Sequence, residues 1–126
     1  MGYCMEQREA NFKLKPGKEA AALQAIKEQA SADSPWVTTD EILNATNFKN
    51  AMEAWRWRIE YNDKGEISDL QFEGEKLGDD VRLWDAIAPY VKAGSYIEMS
   101  GDEGCLWRWF FDGKKMIEQY ARITWK

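Results

Sequence analysis

The chain contains no histidine, only two cysteines (Cys4 and Cys105) and only three prolines in 126 residues. Without histidine it lacks the commonest general base and the commonest metal ligand. Triads of the Ser-His-Asp kind are therefore excluded. Two cysteines and no histidine cannot build a zinc site of the usual Cys/His type, so no metal and no cofactor is expected. The two thiols are expected to be reduced and packed rather than bridged. No apolar run approaches the ~20 residues of a membrane span. The opening "MGYCME" has no apolar signal-peptide core, and Glu6 stands where a myristoylation site wants Ser or Thr. A cytoplasmic protein without membrane contact is the expectation. Also missing are a Walker loop, a dinucleotide fingerprint and a nucleophile elbow.

Basic charge is in short supply as well. Lys and Arg number 17 against 22 Asp and Glu, giving a net charge of −5. Backbone binding to nucleic acid is driven by clustered Lys and Arg, so nucleic acid is an unfavoured partner. An acidic chain suits a soluble protein or one that meets a basic partner.

What is present in excess is tryptophan, with seven residues. Four of them fall in a repeated Trp-Arg-Trp triplet, "EAWRWRIEY" (Trp55–Trp57) and "CLWRWFFDG" (Trp107–Trp109). The triplet could serve recognition or packing, and the surrounding periodicity decides between them.

"YCMEQREANFKLK" reads as a long, bent first strand, with Tyr3 and Met5 on one side and Phe12 and Leu14 sharing a side. Pro16-Gly17 breaks it. A helix follows with Ala22, Leu23, Ile26 and Ala30 at helical spacing. "SADSPW" is a turn-rich break, and Thr38 with Glu41 matches a capping box for a short turn of helix. A further helix starts with Thr46 as N-cap and buries Phe48, Met52 and Trp55. "WRWRIEY" switches to period two, with Trp55, Trp57, Ile59 and Tyr61 on one side and Arg56, Arg58 and Glu60 on the other. "NDKG" turns the chain into "EISDLQFEGEKL", whose parity break predicts a bulge near Ser68-Asp69. "GDDVRLWDAIAPYVKAG" is the clearest helix. Asp79 or Asp80 caps it, Trp84, Ile87, Ala88 and Val91 form its stripe, Pro89 loosens the last turn, and Gly94 stands at C′. "SYIEMSG", "CLWRWFFDG" and "KMIEQYARITW" are three closing strands. The expectation is one α+β domain over residues 1–126. It has an antiparallel sheet of five to six strands, about three helices mainly on one face, and the order β-α-α-β-β-α-β-β-β.

Turn chemistry sets the register of the last three strands. "DEG" (Asp102, Glu103, Gly104) reads as a three-residue hairpin loop with Gly104 left-handed. Gly101 then faces Cys105, Met99 faces Trp107, Ile97 faces Trp109 and Glu98 faces Arg108. At "DGK" an Asp-Gly two-residue loop would put Met116, Glu118 and Tyr120 on the Trp face. A loop of three or five residues puts Ile117, Gln119, Ala121, Ile123 and Trp125 there. The second set is the more apolar, so it is the one expected. Glu98, Arg108 and Glu118 would then form a charged row across three strands. The tryptophans of both triplets fall on the apolar face as core. The opposite face carries Tyr96, Glu98, Leu106, Arg108, Phe110, Met116, Glu118, Tyr120 and Arg122, an interface-like mixture. Arg56, Arg58 and Glu60 would join it if their strand lies in the same sheet.

The stretch "GSYIEMSGDEGCLWRWFFDGKK", with "GEKLGDD" and "IAPYV" before it, resembles a family of small uncharacterised proteins of bacteria and their phages or mobile elements. Members carry a GSYIEM-GEDG-WRW-F type segment near the C-terminus; here the acids run Asp102-Glu103, in the reverse order. The resemblance spans about the last half of the chain. It implies only a bacterial or phage intracellular setting and carries over no functional residues.

The carboxylates Glu98, Asp102 and Glu103 gather at a hairpin tip, where exposure argues against catalysis and the spacing is not that of a calcium loop. The function expected is non-enzymatic: an intracellular protein-interaction module of the adaptor, inhibitor or immunity-like kind. Its binding residues are Tyr96, Glu98, Arg108, Phe110, Met116, Glu118 and Tyr120. The partner is another protein, or a second copy in a homodimer. The alternative is a single-strand nucleic-acid binder using the sheet aromatics with Arg56, Arg58, Arg108 and Arg122.

Overall fold

The computed structural model describes residues 4–29, 39–74, 80–101 and 105–121. Tyr3, Ala30, the 31–36 break, Thr38, Asp79, the loop 102–104, Arg122, Ile123 and Trp125 lie outside them.

The protein is α+β. In chain order come β1 (Met5–Asn11), α1 (Glu19–Gln29), α2 (Thr39–Leu43), α3 (Phe48–Ala54), β2 (Trp57–Tyr61), β3 (Ile67–Phe72), α4 (Asp80–Ile87), a 3-10 turn (Ala88–Tyr90), β4 (Tyr96–Gly101), β5 (Leu106–Phe111) and β6 (Met116–Tyr120). The six strands divide into two antiparallel sheets. β1-β4-β5-β6 make one of four strands, and β2-β3 form a separate hairpin. Arg58 and Glu60 therefore do not share a sheet with Arg108.

The helices and the β2-β3 hairpin lie on one side of the larger sheet. Trp107, Trp109 and Phe111 of β5 and Ile97 and Met99 of β4 are buried beneath them. Trp109 meets Trp84 of α4 at 5.9 Å and Trp57 of β2 at 6.3 Å between ring centroids. Trp57 and Trp84 close the cluster edge-on at 4.9 Å. Tilted and edge-on pairs of this kind contribute about 0.5–1.5 kcal/mol each beyond area burial. Both Trp-Arg-Trp triplets thus supply core.

Local sequence explains most elements. α1 buries Ala22 and Ile26 as its spacing predicts. In α4, Leu83 joins the expected stripe of Trp84, Ile87, Ala88 and Val91. Asp80 opens that helix as an acid at the positive end of its dipole. Pro89 cannot donate a backbone bond, and the last turn tightens to 3-10. Ser68 is the extra residue between the pairs Glu60↔Asp69 and Tyr61↔Ile67, so the bulge sits where parity required it. Two expectations shift. Asn47, not Thr46, caps α3, accepting from Asn50 N–H at 2.8 Å. Gly94, at φ 92°, lies beyond the helical turn, within the chain reversal that leads into β4, where its N–H donates to Phe111 O at 2.9 Å.

The small hairpin is attached to the large sheet by a side chain. Gln7, on the inner side of β1, donates to Leu70 O at 2.6 Å and accepts from Phe72 N–H at 2.7 Å. Its amide occupies the place a neighbouring strand's peptide would take, so these two backbone groups of β3 are not left unpaired.

Candidate functional site

The outer face of the four-stranded sheet has no described element over it. Because side chains alternate along a strand, β4 presents Tyr96, Glu98 and Ser100 outward, and β5 presents Leu106, Arg108 and Phe110. The first hairpin has the expected register: Tyr96↔Phe110, Ile97↔Trp109, Glu98↔Arg108, Met99↔Trp107.

The second hairpin does not. Phe111 pairs with Met116, Trp109 with Glu118 and Trp107 with Tyr120, across the four-residue loop 112–115. Met116, Glu118 and Tyr120 therefore sit on the Trp side, and Ile117, Gln119 and Ala121 face outward with Arg108. This corrects both the placement of those three residues on the outer face and the charged row Glu98-Arg108-Glu118. Two local effects outweigh the apolar pattern. The Asp112 carboxylate accepts from Lys114 and Lys115 N–H, both at 2.9 Å, and fixes an even-numbered loop with Gly113 left-handed at φ 98°. Glu118 in turn accepts the buried Trp109 indole N–H at 2.9 Å, which would otherwise be orphaned. β6 is also the last strand of the sheet, so its inner side needs little apolar surface: Met116 packs against the core while Tyr120 is 63% exposed.

Outward, four of the seven expected binding residues do converge. Arg108 Nε donates to Gln119 Oε1 at 2.9 Å, so Gln119 takes the place foreseen for Glu118. The Arg108 guanidinium lies 5.7 Å from the Tyr96 ring centre and 6.0 Å from that of Phe110. Such cation–π contacts draw the guanidinium toward both rings. Tyr96 Oη donates to Glu9 at 2.8 Å, and this bond is the main cause of a raised Tyr96 pKa. The phenol is thus held as a neutral donor. Leu106 and Ile117 flank the arginine, each 37% exposed. Leu106 stands on the outer face as parity expects, whereas Ile117, expected on the Trp face, is brought outward by the register of β6.

On the inner side of β6, Glu118 takes a second donor, Tyr120 Oη at 2.8 Å, which raises the tyrosine's pKa. Burial, then the neighbouring Glu118 charge, pushes the Asp85 carboxyl of α4 upward. No cluster of three or more metal-ligating side chains occurs among the described residues.

Of the arginines of the nucleic-acid alternative, the three among the described residues, Arg56, Arg58 and Arg108, are not brought together. Arg56 turns inward to the buried Asp80 at 3.1 Å, and Arg58 lies on the separate hairpin. Arg108 shares its face with Glu6, Glu9 and Glu98. Cys4 and Cys105 are free, as expected, but exposed rather than packed. No helix among the described residues is long and apolar enough to cross a membrane. Comparison with protein-family models, with curated proteins and with solved structures found no match to this chain.

Proposed function

We propose that the protein is a non-enzymatic protein-interaction module that takes a partner protein on the outer face of its four-stranded sheet. The observation that carries this reading is the pairing of exposed Leu106 and Ile117 with an arginine fixed over two aromatics, on a face that no described element covers. Interfaces concentrate aromatic residues and Arg at their centre, with apolar neighbours to exclude water. The binding set is Tyr96, Glu98, Leu106, Arg108, Phe110, Ile117 and Gln119. The C-terminal resemblance adds a setting inside a bacterium, as a host, phage or mobile-element protein of the adaptor, inhibitor or immunity type.

Site-specific photo-crosslinking tests this in the native host. A crosslinker placed at Ile117 or Leu106 captures a defined partner, and one placed at Lys27 does not. Arg108→Ala weakens that complex by about 2 kcal/mol or more, the range of interface hot spots. Equal capture from both faces, or an Arg108→Ala complex of unchanged affinity, removes the proposal. Light scattering on the purified protein determines whether the partner is a second copy.

A further inference from the structure

The four-stranded sheet ends at β6, and the pairing of that strand decides which of its backbone groups are used. Ala121 N–H donates to Leu106 O and Asp112 N–H to Lys115 O, both at 3.1 Å. The pairs Arg108↔Gln119 and Phe110↔Ile117 lie between them. By the alternation of an antiparallel ladder, Ile117 and Gln119 turn their N–H and C=O groups toward β5. Met116, Glu118 and Tyr120 turn theirs the other way, out of the sheet. No described residue bonds to these groups from that side.

The two edges of the sheet differ. β1 carries a bulge at Arg8, between the pairs of Gln7 and Glu9, and the Gln7 amide ties it to β3. A bulge and a close neighbour both oppose further pairing. β6 keeps an unbroken register with β5 and contains neither proline nor lysine. Such an edge is a template for an added strand.

Charge selects what that strand is. Glu118 projects to the inner side of β6, where its charge, after burial, raises the Asp85 carboxyl of α4. Neither acid closes an ion pair among the described residues. A second copy of β6 matches this poorly. The antiparallel pairing that uses all three outward residues sets Met116 against Tyr120 and Glu118 against Glu118, and like charges directly opposite repel. A Lys or Arg opposite Glu118 reverses the sign, and its long side chain extends toward Asp85. The neighbours of that cation point to the outer face, where Ile117 offers exposed apolar surface.

From the unpaired backbone of β6 and the acids beside it, we infer that this edge is a strand-addition site for an extended basic segment of a partner protein. The segment runs antiparallel to β6, with Lys or Arg opposite Glu118 and an apolar residue beside Ile117. It lies beside the sheet and not over it, so Leu106, Arg108 and Phe110 stay uncovered.

Amide hydrogen exchange read by NMR tests the site, with two capped nine-residue peptides as probes, one alternating Val and Lys and the other Val and Glu. In the free protein Ile117 and Gln119 amides exchange slowly, and those of Met116, Glu118 and Tyr120 quickly. The Val-Lys peptide protects the three fast amides saturably, and the Val-Glu peptide does not. Tyr120→Pro removes one outward N–H and no ladder bond, so Ile117 stays slow while peptide affinity falls at least about tenfold. Asp85→Asn combined with Glu118→Gln, which retains an acceptor for Trp109, weakens binding about tenfold, at about threefold for each part-exposed ion pair. Glu41→Gln, the same kind of change on α2, leaves it unaltered. No protection at millimolar Val-Lys peptide, equal protection by both peptides, or full affinity in Tyr120→Pro or in the double variant would each overturn the assignment. Protection without peptide that grows with protein concentration would also overturn it, giving the edge to a second copy.

Discussion

Arg56 has a backbone φ of 80°, a left-handed conformation that normally favours glycine. It follows the C-cap of α3, donates its N–H to Glu53 O at 2.9 Å, and redirects the chain into β2. Strain of this kind costs about 1–3 kcal/mol. It is offset because the side chain reaches the fully buried Asp80 at 3.1 Å and stacks over Phe72 at 5.3 Å, while Trp57 Nε1 gives Asp80 a second bond at 2.9 Å. Arg56→Gly accepts the left-handed backbone without strain and removes the Asp80 ion pair together with the Phe72 contact. It should lower the unfolding free energy by about 2 kcal/mol, the ~3–5 kcal/mol cost of breaking a buried ion pair less the ~1–3 kcal/mol of strain that glycine relieves, seen as a lower urea midpoint. Asp112 gives a pH prediction. Hydrogen bonds from the Lys115 and Lys114 backbone N–H groups hold its carboxyl below the ordinary carboxylate range. The folded state then binds that proton less readily than the unfolded one. Its contribution is present above the unfolded pKa of ~3.9 and is lost as pH falls through the lower, folded value. Asn at this position keeps the acceptor without the titration. Stability of Asp112→Asn should therefore fall less than that of the wild type below about pH 4, measured by denaturant titration across that range. Parallel curves would contradict the assignment.

At the scale of elements, the two closing hairpins differ in how their pairing is specified. β4 and β5 are both buried on their inner side, so a slip by one residue would expose Trp107 and Trp109, and the pattern alone selects the register. β6 is a terminal strand with only partial cover, and there a carboxylate in the turn and an indole N–H in need of an acceptor decide the matter instead. Neither is visible as hydrophobic period. Ile117→Lys should accordingly leave stability within about 0.5 kcal/mol, as a surface change, while Met116→Lys should cost more than about 1 kcal/mol because Met116 packs against the core. The reverse ranking in thermal melts would mean that the register is the slipped one. The helices were legible for a simpler reason: Trp84, Ile87, Ala88 and Val91, or Phe48 and Met52, repeat at 3.6 residues over long enough spans to identify face and type. The left-handed Arg56 was not legible, because no glycine marks it.

For the molecule as a whole, periodicity told which side of "WRWRIEY" is buried but not what lies beside it. Trp57 and Ile59 are buried as read. Their hairpin nevertheless packs beneath the large sheet, held to β1 by the Gln7 amide, instead of extending it edge to edge. Neighbour choice between strands is a tertiary decision that single-strand patterns do not encode. One consequence is a continuous core: Trp57 and Trp84 from the small hairpin and α4 meet Trp109 and Phe111 from the sheet. Unfolding should then be a single transition, with tryptophan fluorescence and far-ultraviolet dichroism tracing one curve in urea. Separate midpoints for the two signals would show that hairpin and sheet melt independently. The alternation along β4 and β5 has an evolutionary consequence. Every second residue holds the fold together, and the residues between them touch solvent on the far side. Mutations at the outward positions are shielded from selection for stability, so that surface can diversify from lineage to lineage while the tryptophan-lined side stays constant. Two descendants of this protein could come to differ completely in what they recognise and still superpose strand for strand.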